Sequence, residues 1–113
     1  MSDAIEAVSA IVAREDDADE ILRQTVALLA GRHGAFVGVR FVEAGQFVLG
    51  PAAGTPAGTK TATPVRFGDR VVAELVTSSD LDGEDRAAWT RIAELVAPYC
   101  LVGWDTGGSG WEP

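Results

Sequence analysis

At 113 residues, with 47% hydrophobic and 23% charged side chains, the chain has the size and composition of one globular domain. Its net charge is −8 and its nine Lys and Arg are scattered, so no basic patch is on offer to nucleic acid or an anionic membrane. No apolar run approaches the ~18–20 residues that span a bilayer.

The first residues, "MSDAIEAV", carry acids where a secretory signal carries Lys or Arg, which predicts a cytoplasmic protein. The single Cys rules out an internal disulfide and agrees with that expectation. Ile5, Val8 and Val12 recur at helical spacing, so residues 3–14 read as an amphipathic helix capped by Ser2. Asp17 and Glu20 have the spacing of a capping box. A second helix follows through "ADEILRQTVALLAG", with Leu22, Val26 and Leu29 on one face and Gly31 as its expected end.

"AFVGVRFVEAGQFVLG" alternates and is rich in β-branched and aromatic residues. It predicts strands at 35–43 and 46–50, joined at Ala44-Gly45. "PAAGTPAGT" reads as a loop. "KTATPVRFGDRVVAELVTSS" predicts two more strands around a Gly68-Asp69 turn, with some irregularity of phase between Val72 and Leu75/Val76. The last helix starts at Asp82 as cap, with acids at 84 and 85 in its first turn. Trp89, Ile92, Ala93, Val96 and Cys100 form its stripe, and Pro98 bends or loosens its last turn. Antiparallel hairpins with helices at both ends predict an α+β domain: an antiparallel sheet of about four strands, with the N- and C-terminal helices on one face. Residues 1–103 form that single domain and residues 104–113 a Gly/Trp tail.

Most motifs that suggest chemistry do not sustain it. Asp105-Thr106-Gly107 spells the signature of an aspartic protease, but only six residues follow it. They cannot supply the strands that hold such a carboxylate against its partner. Trp104 and Trp111 instead predict a tail that folds back on its own domain or on a partner. His33 lies at a helix end, where a cation suits the dipole, and has no nucleophile beside it in sequence. One His and one Cys do not make a zinc site. Cys100 reads as a small core residue. "GPAAGTPAGTK" lacks the Gly-Lys-Ser/Thr order of a phosphate loop. "DLDGED" and "EDDADE" lack a calcium loop's spacing and are explained by helix capping. No metal and no cofactor is expected.

The stretch "TPVRFGDRVVAELVTSSDLDGEDRAAWTRIAELVAPY" resembles the second half of a GAF domain. The resemblance is a Pro-Val strand, a tight Gly-Asp-Arg turn, a strand ending in small polar residues, and an acid-capped helix with an Ile-Ala-x-x-Val-Ala stripe. "ILRQTVALLA" and "GAFVGVRFVEAGQFVLGP" fit the first half, so the likeness covers most of residues 17–103. It implies terminal helices on one side of the sheet and a small-ligand site on the other. It also implies dimerisation through the terminal helices. Only "GPAAGTPAGTKTAT" joins Gly50 to Pro64, too short for the helical lid of a full GAF domain, which predicts a shallow or missing pocket. "LGPAAGTPA" resembles a stretch of the GAF-fold free methionine sulfoxide reductases, but Gly58 and Thr59 follow where those enzymes carry a Cys.

The expected function is therefore a non-catalytic GAF-like regulatory or interaction module, homodimeric through its terminal helices. Ile5, Val8, Ile11, Val12 and Trp89 are the expected dimer surface. The alternative is a sensor of a small anionic metabolite on the open sheet face, lined by Phe36, Arg40, Phe47 and Arg66. A GAF-fold enzyme is the least supported reading. Partners are a second copy and a small molecule or a protein, without nucleic acid or membrane.

Overall fold

The computed structural model describes residues 2–101. The element order is α1 (Ser2–Arg14), α2 (Ala18–His33), β1 (Val37–Glu43), β2 (Gln46–Ala53), β3 (Thr61–Phe67), β4 (Arg70–Thr77) and α3 (Gly83–Val96), followed by a 3₁₀ turn, Ala97–Leu101. The order is the one the hydrophobic pattern predicts. The four strands form one antiparallel sheet in the order β2-β1-β4-β3. The two hairpins thus meet through their first and last strands, leaving β2 and β3 as edges.

Two hairpin turns set the register. Ala44 and Gly45 both take positive φ, 51° and 78°, the backbone that matches the twist of a two-residue hairpin. Gly68 takes φ 67° at the second turn. Each hairpin carries a bulge. Gly50 and Pro51 together oppose Val39, because Gly38 pairs with Ala52 and Arg40 with Leu49. A bulge is where a strand tolerates proline, so β2 runs through Pro51 to Ala53 instead of ending at residue 50. On the other hairpin Val65 faces Ala73 and Arg66 faces Val71, leaving Val72 as the extra residue. Val72 and Ala73 are both buried in the core, which explains the irregular phase of that strand.

Helix ends show where local signals were overridden. Gly31 lies inside α2; the helix continues to His33 and closes at Gly34, whose φ 59°, ψ 38° place it in the left-handed region. Asp17 is the N-cap of α2 but makes no side-chain cap bond. Glu20 is held by Arg23 and Gln24 rather than reaching back. Hydrogen bonding from Gln24, then from Arg23, lowers the Glu20 carboxyl below its usual range. Gln24 also takes a bond from Arg14 and gives one to Glu15, so it ties the end of α1 to α2. Asp82 does cap α3, accepting from Asp85 N–H at 2.8 Å. Pro98 falls in the 3₁₀ turn, where the α-helix has already ended.

The core lies between the sheet and the helices. α2 and α3 pack on the sheet, and α1 packs against both helices. Val37, Val39, Val65 and Leu75 face inward from the strands; Leu22, Val26, Leu29, Ile92 and Val96 meet them from the helices. Trp89 is the largest fully buried side chain among the described residues. Its indole N–H donates to His33 Nε2 at 3.2 Å, and the two rings meet edge to face. His33→Ala leaves that buried donor unsatisfied and is expected to cost about 1–3 kcal/mol. His33→Gln, which keeps an acceptor, is expected to cost less; urea denaturation of the two variants checks this.

Candidate functional site

Strand alternation puts Gly38 and Arg40 of β1, Leu49 and Ala52 of β2, and Glu74 and Val76 of β4 on the face away from the helices. Phe36, just before β1, joins them. Its backbone is fixed from both sides: Phe36 N–H donates to Ser78 Oγ at 3.0 Å, and Ser78 N–H donates to Phe36 O at 3.1 Å. The Phe36 ring can lie near β1 because Gly38 has no side chain. A Cβ there would sit 3.3 Å from the ring and 3.1 Å from Leu49.

Among the described residues, one open cleft lies on this face and another at its edge, against the end of α2. The larger, about 510 Å³, is walled by Phe36, Arg40, Leu49, Ala52, Pro56 and Val76. The second, about 450 Å³, runs toward the end of α2, past Gly34, Thr55 and Ser78. They share Phe36, Gly54 and Ala57 as a common wall. The short connection after β2 therefore borders two shallow clefts without closing over either. Gly54 is essential to that wall. Its φ is 89°, and a Cβ would stand 2.7 Å from Ala35 O.

Arg40 does not stand free over the larger cleft. Its Nη2 donates to Glu74 Oε1 at 2.7 Å across β1 and β4. Its guanidinium carbon lies 5.6 Å from the centre of the Phe47 ring, within cation–π range. Arg40 Nε is buried and has no hydrogen-bond partner among the described residues. The pair is about one-third exposed on the Arg40 side and one-fifth on the Glu74 side.

The sequence matches no protein-family profile and no curated protein. Its fold does have a solved counterpart. The GAF domain of an Acinetobacter phosphoenolpyruvate-protein phosphotransferase matches it with a TM-score of 0.75 over 96% of both chains, at 7% sequence identity. The chain has a GAF-like fold. At that identity the likeness concerns backbone architecture, not side chains.

Within this GAF-like fold the anticipated ligand residues separate. Phe36 and Arg40 line the larger cleft. Phe47 stacks near Arg40 and is 46% exposed, next to Val48 and Leu49, which are also exposed. Arg66 faces Val71 on the edge strand β3, with β4 between it and β1, and is not in the cleft wall. Of the anticipated dimer residues, Val8, Ile11 and Trp89 are buried in the chain's own fold. Ile5 and Val12 pack against that core and stay partly exposed. Helical spacing marks an apolar face without saying whether it meets the chain itself or a second copy. Asp105-Thr106-Gly107, Trp104 and Trp111 lie outside the described residues.

The sequence does not mark Glu74, Gly54 or Ala52 as site residues, and it marks Val76 only with Leu75 as part of a strand's apolar pattern. Glu74 carried the clearest signal, a single acid inside the apolar strand "VVAELV", which needs a cation when partly buried.

Cys100 is fully buried, and burial pushes its thiol up to about 12 from an ordinary 9.0. The thiolate is the reactive form, so the native protein is expected to leave a thiol-specific disulfide reagent unreacted at pH 8, with full reaction on unfolding. As pH rises above 9, the unfolded chain ionises first. The stability contributed by the neutral thiol is then lost progressively toward pH 12.

Proposed function

We propose that this chain is a non-catalytic GAF-like regulatory module whose working surface is the open face of its sheet, where a small molecule binds. The observation that carries this reading is the larger cleft. It lies on the face that no described helix covers, toward the Phe36 end of β1, and it is walled mainly by apolar side chains.

Two engaged side chains support the non-catalytic part. Cys100 is buried on the helix side, and His33 Nε2 already accepts from Trp89. The same reading places the module's work on the sheet rather than on a helical dimer seam, because Val8, Ile11 and Trp89 are engaged within one chain.

Native mass spectrometry after incubation with a small-molecule cell extract tests the reading. The expected result is a stoichiometric small adduct that is lost in Ala52→Trp, which fills the cleft. Bare chains before and after incubation would count against ligand binding and turn the search to protein partners.

A further inference from the structure

We infer that the larger cleft selects an uncharged, flat, apolar ligand, and that Glu74 sets this selectivity by neutralising Arg40. The inference rests on the open-face binding reading and adds the ligand's class to it. Among the described residues, Arg40 is the one charged side chain in the walls of the two clefts. A lone arginine there would recruit a carboxylate or a phosphate. Here its Nη2 is bonded to Glu74 Oε1 at 2.7 Å, and its guanidinium is held near the Phe47 ring. An incoming anion would have to displace or approach Glu74, on a chain whose net charge is already −8. What remains for a ligand is Phe36, Leu49, Ala52, Pro56 and Val76. Gly38 lets the Phe36 ring and Leu49 come together in that wall, since a Cβ there would stand 3.3 Å from the ring and 3.1 Å from Leu49. A planar hydrocarbon framework suits that surface.

Two fluorescent probes with one skeleton separate charge from shape. N-phenyl-1-naphthylamine is neutral; 1-anilinonaphthalene-8-sulfonate adds one sulfonate. In fluorescence titrations the neutral probe is expected to bind the full chain at least about tenfold more tightly than the sulfonate. Glu74→Gln keeps an oxygen for Arg40 but removes the negative charge. It is expected to raise sulfonate affinity about tenfold and leave the neutral probe within about twofold. Arg40→Gln combined with Glu74→Gln is expected to lose that gain, and Ala52→Trp to abolish neutral-probe binding.

Sulfonate binding equal to or tighter than neutral-probe binding in the unmodified chain would overturn the charge assignment and leave open-face binding standing. A neutral probe that fails to bind, or binds regardless of Ala52→Trp, would overturn open-face binding itself. If Glu74→Gln does not fold, the two-probe comparison on the unmodified chain still decides the charge assignment.

Discussion

Trp89→Ala is expected to cost about 3–5 kcal/mol, a large share of the ~5–15 kcal/mol that holds a domain of this kind together. Two effects add. The indole is fully buried, so its removal leaves a cavity in the core, which neighbouring side chains close only in part. The second effect is the lost hydrogen bond to His33 Nε2. Trp89→Phe separates the contributions, since it keeps most of the ring volume and loses the N–H. It is expected to cost less than alanine. Urea denaturation followed by circular dichroism is the right measurement, because Trp104 and Trp111 also fluoresce. An alanine variant with an unchanged midpoint would show that α3 does not anchor the core.

Gly54→Val is expected to damage both stability and the open face. The residue sits at φ 89°, a conformation L side chains rarely adopt. Strain of that kind costs about 1–3 kcal/mol on its own. A Cβ would also stand 2.7 Å from Ala35 O and 3.1 Å from Phe36 Cα, and both neighbours are backbone. The segment after β2 therefore has to move away from Phe36, and the wall shared by the two clefts opens. The neutral naphthylamine probe is then expected to lose its site even at temperatures where the variant stays folded. Gly58→Val is the matched control: no atom lies within 4 Å of a Cβ there, and the residue is exposed. Its expected effect is within about 0.5 kcal/mol. Equal behaviour of the two variants would remove Gly54 from the account.

The fold was legible because its signals are local. Period-two runs gave the strands, Ala44-Gly45 and Gly68 gave the turns, and Asp82 gave the start of α3. The errors occurred where tertiary contacts or neighbouring side chains decide between local options. Gly31 could have ended α2, but Gly34 does, three residues later. Glu20 could have closed a capping box, but Arg23 and Gln24 hold it. Pro51 looked like a strand terminator, and a bulge opposite Val39 accommodates it.

The site was half legible for a related reason. Phe36, just before β1, and Arg40 within it line the same cleft, and their even spacing matches strand alternation. Sequence alone does not give the strand order β2-β1-β4-β3. That order seats Glu74 beside Arg40 and puts Arg66 on a far edge. The pairing of Arg40 with Glu74 follows from it, and on that pairing rests the proposal of an uncharged ligand in place of an anionic one.

The most direct test of the account is a ¹H–¹⁵N NMR titration of the full chain with N-phenyl-1-naphthylamine. Shifts are expected to cluster at Phe36, Gly38, Leu49, Ala52, Gly54 and Val76, with α1 and α3 unmoved. Shifts centred on the helices, or none at millimolar probe, would contradict it.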